Sequence, residues 1–162
     1  MKYITAPWRE EYVRQVFKMT ECIFCSALRL ENDNKALILF RGEYNFLLLN
    51  RYPYTPGHMM IAPFEHVDSI EKADKRISDE MTDLLKFSLK VLRETYHPHG
   101  FNTGMNIGHS AGAGVAGHYH LHIIPRWTGD ANFMPLIGKT KVVIEDIKST
   151  YEKLSQSFKA GK

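Results

Sequence analysis

The run His118-Tyr119-His120-Leu121-His122-Ile123-Ile124 alternates an imidazole with a bulky apolar or aromatic side chain, and a period of two is the mark of a strand whose faces have different jobs. Tyr119, Leu121 and Ile123 project to one side, where they can pack beneath a helix. His118, His120 and His122 project to the other. A row of three imidazoles has no packing logic, because histidine is a poor strand former. The row is a polar solvated face, a set of histidines each satisfied by a backbone carbonyl, or a reactive site. The chain has eight histidines in 162 residues, and their crowding here favours the reactive site.

Working outward, the preceding segment Gly108-His109-Ser110-Ala111-Gly112-Ala113-Gly114-Val115-Ala116-Gly117 lacks bulky side chains. Such a loop either wanders over the surface or brings backbone N–H groups against phosphate oxygens. Asn102 to Ile107 reads as the strand before it. Further back, Lys35–Arg41 and Asn45–Asn50 flank a Gly42-Glu43 turn and predict a hairpin. Pro53, Pro56 and Gly57 punctuate a loop before a third strand, His58–Ala62. Apolar residues recur at helical spacing from about Ile70 to Tyr96, among them Ile77, Met81, Leu84, Leu85, Leu89 and Leu92, and Pro98 and Gly100 stop that helix. A second amphipathic helix is expected over about Ile144 to Phe158. The pattern predicts an α+β fold, with an antiparallel sheet covered by a helix on one face.

At 162 residues a single domain suffices, burying roughly 70% of its unfolded surface. Hydrophobic residues make up 44% and charged residues 24%, which is ordinary globular composition. No apolar stretch approaches the ~20 residues of a membrane span, and the N-terminus has no leader-like run. A net charge of +3 without a basic stripe disfavours a nucleic-acid module, zinc-dependent or otherwise. Cys22 and Cys25 are the two cysteines; their C-x-x-C spacing suits half a metal site or a redox pair better than a disulfide framework, and two free thiols are the plain alternative. A cytoplasmic location is expected.

Aligned imidazoles have a chemical use. A neutral imidazole nitrogen can attack phosphorus and form a phosphoramidate that water or a second phosphate then cleaves, while a neighbouring imidazole assists the leaving oxygen. With the small-residue loop beside it as a phosphate cradle, the row reads as a phosphoryl- or nucleotidyl-transfer site.

His118-Tyr119-His120-Leu121-His122-Ile123-Ile124 resembles the His-φ-His-φ-His-φ-φ signature of the histidine-triad (HIT) family. Asn50-Arg51-Tyr52-Pro53-Tyr54-Thr55-Pro56-Gly57-His58 is similar to that family's N-x-x-P-x-x-P-G-H segment. Ala6-Pro7-Trp8-Arg9, Ala111-Gly112-Ala113-Gly114 and the tail Pro125-Arg126-Trp127-Thr128-Gly129-Asp130-Ala131-Asn132-Phe133 resemble the bacterial branch that includes diadenosine tetraphosphate phosphorylases. The resemblance implies a HIT-like five-stranded antiparallel sheet with a crossing helix and a C-terminal helix, spanning residues 1–162 as one domain and commonly paired as a homodimer. It implies that His120 is the nucleophile that takes up a nucleoside monophosphate and that His122 assists the leaving group. By the same resemblance, Asn50 meets the ribose, His58 joins the substrate site, and Asn106, Ser110, Gly112, Ala113 and Gly114 hold phosphate. Several relatives carry a glutamine ahead of the triad where this chain has Gly-Ala-Gly, so one of their phosphate contacts has no equivalent. The substrate implied is a dinucleoside polyphosphate, hydrolysed or phosphorolysed; a purine nucleoside phosphoramidate, or nucleotide binding without catalysis, are the alternatives.

In relatives with an N-terminal C-x-x-C, zinc is completed by a histidine between the strands and the long helix and by the first triad histidine. Here these would be His66 and His118, giving a structural zinc held by Cys22, Cys25, His66 and His118. A His118 bound to metal cannot attack phosphorus. Its backbone carbonyl can still accept the proton on the inner nitrogen of His120, fixing the tautomer whose outer nitrogen faces phosphorus.

Overall fold

The computed structural model describes residues 21–130 and 145–160. The Ala6–Arg9 motif, the Ala131-Asn132-Phe133 end of the tail and the expected helix start at Ile144 lie outside the described residues. In chain order the elements are α1 (Ile23–Arg29), the single turn α2 (Asp33–Ala36), β1 (Ile38–Arg41), β2 (Asn45–Leu49), β3 (Met59–Pro63), a 3-10 turn at Ile70–Lys72, α3 (Lys75–Tyr96), β4 (Gly100–Met105), a 3-10 turn at His109–Ala111, β5 (Leu121–Arg126) and α4 (Ile147–Ala160). The five strands form one antiparallel sheet in the order β1-β2-β3-β5-β4. The expected α+β sheet with one long helix and a C-terminal helix is present, and β5 lies inside it.

Several boundaries differ from the sequence reading, each for a local reason. The Asn32 side chain caps α2 by accepting from the N–H groups of Asn34 and Lys35, and Leu37 turns left-handed at φ 61°, so β1 starts at Ile38 and not at Lys35. Asp74 accepts from the N–H of Arg76 as the N-cap of α3, which separates the helix from the Ile70–Lys72 turn. Strand β4 begins at Gly100, closer to the end of α3, because Gly100 already pairs with Arg126. Most consequentially, only His122 of the triad lies in β5. Residues 118–120 turn instead toward the connection after β3, where Tyr119 N–H donates to the Val67 carbonyl at 2.8 Å.

The alternation of the triad segment holds through this departure. Tyr119, Leu121 and Ile123 join Leu47, Leu49, Met59 and Ile61 beneath Ile77, Met81, Leu84, Val91 and Leu92 of α3 and Tyr151, Leu154 and Phe158 of α4. The opposite face is not open, contrary to the expectation of helical cover on one face. Ile38, Phe46, Leu48, Met60 and Ala62 pack there against Phe24 of α1 and Ala36 of α2. The reason is legible in β2 and β3, whose residues are buried throughout: Phe46-Leu47-Leu48-Leu49 is a continuous apolar run, the pattern of a strand covered on both sides.

One carboxylate ties the long helix to the β1–β2 hairpin. Glu80 accepts from the N–H groups of Glu43 (2.6 Å), Tyr44 (2.9 Å) and Asn45 (2.7 Å) and from Asn45 Nδ2 (2.8 Å). Asn45 Nδ2 also reaches the Ile77 carbonyl at 2.9 Å. Gly42 leaves room for this, since a Cβ there would stand 2.5 Å from Glu80 Oε1, and the carboxylate could retreat only by giving up its donors. Burial raises the Glu80 pKa, but the Asn45 side chain and the three backbone donors outweigh it and the net shift is downward. A depressed carboxylate stabilises the fold above its ordinary range and loses that contribution as pH falls through its folded value. Glu80→Gln is therefore expected to cost about 1–3 kcal/mol at pH 7 in urea unfolding. The wild-type advantage should shrink as pH drops below about 4, the ordinary glutamate range; an equal gap at pH 7 and pH 3 would contradict this role.

Candidate active site

Each triad histidine has one ring nitrogen assigned by a backbone or side-chain partner, so the other nitrogen's role follows. His118 is fully buried, and its Nε2 lies 2.9 Å from the Pro63 carbonyl. A carbonyl only accepts, so Nε2 carries the proton and Nδ1 the lone pair. His120 Nδ1 lies 3.0 Å from the His118 carbonyl, which by the same logic places its proton on Nδ1 and its lone pair on Nε2.

The third assignment runs through a fourth histidine. Tyr54 N–H donates to His58 Nδ1 at 3.2 Å, so neutral His58 is protonated at Nε2 and donates to His122 Nδ1 at 3.0 Å. His122 is left with its proton on Nε2. His120 thus offers a lone pair where His122 offers an N–H, as an attacking group and its electrostatic assistant require.

Packing holds this arrangement still. The ring of Phe24 lies 5.1 Å from His118 and 4.7 Å from His120 between centroids, covering the inner part of the histidine face. Burial pushes the His118 pKa down to about 4, against partial opposition from the Pro63 carbonyl. Burial also lowers His120, opposed by its bond to the His118 carbonyl. Both rings are neutral near pH 7, so each lone pair is available.

The lone pair of His118 faces the cysteines. Its Nδ1 is 3.4 Å from Cys22 Sγ and 3.8 Å from Cys25 Sγ, and Cys25 Sγ is 3.3 Å from His66 Nδ1. The four ligand atoms lie within 4.8 Å of one another. A tetrahedral dication bonded to thiolates and imidazoles has sulfur–nitrogen edges of about 3.5 Å, so the donor set fits a metal ion in both chemistry and spacing. Burial and the neighbouring Cys22 raise the Cys25 thiol, a penalty that a bound cation reverses. The cluster joins α1, the connection after β3 and the triad segment.

A cleft of about 310 Å³ opens beside the triad. Ile23, Phe24, Ala27, Leu48 and Met60 give it an apolar wall, and Asn50, Asn106, Gly112, Gly114, His120 and His122 supply its polar edge. That is the composition of a small-ligand pocket. Gly112 turns left-handed at φ 82°, a conformation glycine adopts without strain. Three residues expected at the substrate do not line the cleft: Ser110 is exposed, Ala113 is buried, and His58 is buried behind His122. Asn50 Oδ1 accepts from the Tyr52 N–H at 2.9 Å, so this residue also shapes its own loop. That loop needs Gly57, which has φ 74° and an absent Cβ that would come within 3.1 Å of Leu92 Cδ2.

Sequence reasoning missed Phe24, the Pro63 carbonyl, the Tyr54 N–H and the relay role of His58. The first sits inside the C-x-x-C motif, which could have drawn attention to it. Backbone groups leave no trace in side-chain pattern.

The profile of the HIT domain matches residues 31–129, and the chain belongs to the HIT domain family. A Mycobacterium tuberculosis protein named AP-4-A phosphorylase is 39% identical over 127 residues, covering 78% of this chain and 65% of that protein. This chain therefore spans less than two thirds of that relative's length. A hypothetical histidine triad nucleotide-binding protein from Sulfolobus tokodaii aligns with TM-score 0.66 at 29% identity, covering 86% of this chain and 90% of that one. A zinc-bound histidine triad protein from Mycobacterium smegmatis aligns with TM-score 0.62 at 19% identity over 93% of both chains, a likeness of fold.

The tautomers are measurable. Long-range ¹⁵N–¹H NMR at pH 7 is expected to find His118 protonated at Nε2, His120 at Nδ1 and His122 at Nε2. A His120 protonated at Nε2 would remove its attacking lone pair and overturn the assignment.

Proposed function

We propose that this protein is an enzyme that transfers the nucleoside monophosphate group of a dinucleoside polyphosphate through a covalent intermediate on His120. What supports the reading most is the hydrogen bond from His120 Nδ1–H to the His118 carbonyl, which leaves Nε2 as a lone-pair nitrogen on a side chain lining the cleft. The name of the Mycobacterium tuberculosis relative supports the substrate class.

Nε2 attacks the α-phosphorus, and the bond from that phosphorus to the oxygen of the departing polyphosphate breaks. The electron pair leaves with that oxygen, and His122 Nε2–H donates a hydrogen bond to the charge that develops. A polyphosphate departs as an anion, so no proton need be transferred. Once phosphorus is bonded to Nε2, the ring is cationic with its proton still on Nδ1, and the His118 carbonyl faces that charge. The acceptor then attacks phosphorus, and the phosphorus–nitrogen bond returns its pair to Nε2. Inorganic phosphate is the acceptor proposed, by likeness to the phosphorylase branch, with water the slower substitute.

The metal proposed at Cys22, Cys25, His66 and His118 is zinc, whose contribution would be structural: it would occupy the His118 lone pair and hold its carbonyl in place. Protein purified without chelator should carry about one zinc per chain, and Cys22→Ala should lose the metal and lower the melting temperature. Full metal content in Cys22→Ala would contradict the ligand set.

Strand β4 lies at the sheet edge with its middle residues exposed, and a homodimer through that edge is proposed. A cytoplasmic location is also proposed; among the described residues no helix is long and apolar enough to cross a membrane.

Diadenosine tetraphosphate should give ATP and ADP when phosphate is present, and ATP and AMP when it is absent. Two molecules of ADP formed without phosphate would contradict attack at the α-phosphorus, and no turnover under either condition would contradict the function. Asn50→Ala is expected to raise KM more than it lowers kcat, whereas His122→Ala should slow kcat without abolishing it.

A further inference from the structure

Six arginines fall within the described residues, and five are held by a carboxylate or an aromatic ring. Arg29 pairs with Glu21, Arg41 with Asp33, Arg76 with Asp74 and Arg126 with Asp130, while Arg93 lies over the ring of Phe101. Arg51 is the sixth. Among the described residues it meets neither a carboxylate nor an aromatic ring, and its Nη2 reaches only the Lys35 carbonyl, at a long 3.4 Å.

This uncommitted guanidinium belongs to the wall of the cleft. The lining contains no Asp, Glu or Lys, and His120 is held toward its neutral form by burial. Among the described residues, Arg51 is therefore the one formally charged cation in a cleft assigned to a polyanion. The residue before it, Asn50, stands 3.5 Å from His58, whose ring is 3.0 Å from His122. Arg51 and His122 line the same cleft, so a long, exposed side chain rooted beside Asn50 can extend over the space where phosphates beyond the attacked one would lie. Guanidinium matches phosphate with paired donors and sheds its water more readily than ammonium.

We propose that Arg51 binds the phosphate groups beyond the one attacked, and so makes the cleft prefer a polyphosphate chain to a single phosphoryl group. The proposal rests on the nucleotidyl-transfer reading for its substrate class. It also explains a feature the catalytic steps do not: the triad supplies a lone pair and an N–H for the α-phosphorus, yet offers no positive charge to the remaining phosphates.

The test is calorimetric binding of ATP, AMP and adenosine 3′,5′-bisphosphate to the wild type, Arg51→Gln and Arg51→Lys. Arg51→Gln is expected to weaken ATP about tenfold and AMP by less than about twofold, with Arg51→Lys between wild type and Arg51→Gln. The ATP difference should narrow as salt rises, because a contact at an exposed residue is screened. Equal weakening of ATP and AMP, unchanged ATP affinity, or a loss confined to the bisphosphate would overturn the proposal, the last by moving the anion to the ribose. Binding needs no turnover, so the two readings can fail separately. A wild type that shows the Arg51-dependent ATP preference but cleaves no dinucleoside polyphosphate keeps this assignment and loses the catalytic one. Cleavage with unaltered ATP affinity in Arg51→Gln does the reverse.

Discussion

The 3.0 Å hydrogen bond from His120 Nδ1–H to the His118 carbonyl is the constraint around which the site is organised. An imidazole has two nitrogens of similar basicity, and in water the proton moves between them. Giving one nitrogen a fixed acceptor decides which nitrogen can attack. The acceptor is a backbone carbonyl, so its position depends on how well residue 118 is held. That residue is anchored on both sides of its ring, by the Pro63 carbonyl at Nε2 and by Cys22 and Cys25 at Nδ1.

The cysteine cluster and His120 are thereby physically linked through His118. The sulfurs come from the start of α1, His66 from the connection after β3, and His118 from the segment leading into β5. Phe24, two residues after Cys22, packs on both His118 and His120. The same short segment thus supplies two thiols of the candidate metal cluster and an apolar wall over His118 and His120. A dry wall strengthens the hydrogen bonds inside it, and it also keeps the two inner histidines neutral.

Much of the fold was legible in the sequence because its signals are periodic. The alternation at residues 118–124 and the helical spacing over 77–92 report burial directly, and the apolar set Tyr119, Leu121 and Ile123 does join the core. The covering of the second sheet face was not anticipated, although the continuous run Phe46–Leu49 carried the information. The metal cluster was reached through family resemblance, and the structure brings those four residues together. What pattern could not show were contacts made by main-chain atoms, such as Pro63 with His118 and Tyr54 with His58, because a carbonyl or N–H is the same whatever residue bears it. The placement of His58 behind His122 followed from one of these contacts, and so did the exit of residues 118–120 from the ladder.

The covalent bond proposed between His120 Nε2 and phosphorus leaves a chemical trace. Rapid quenching of the protein with diadenosine tetraphosphate, followed by intact and peptide mass spectrometry, addresses it directly. An acid-labile AMP adduct is expected on the peptide containing His120, absent in His120→Ala, whose kcat should fall at least about a thousandfold. An adduct mapped to His118 or His122, or turnover retained in His120→Ala, would contradict the bond to His120.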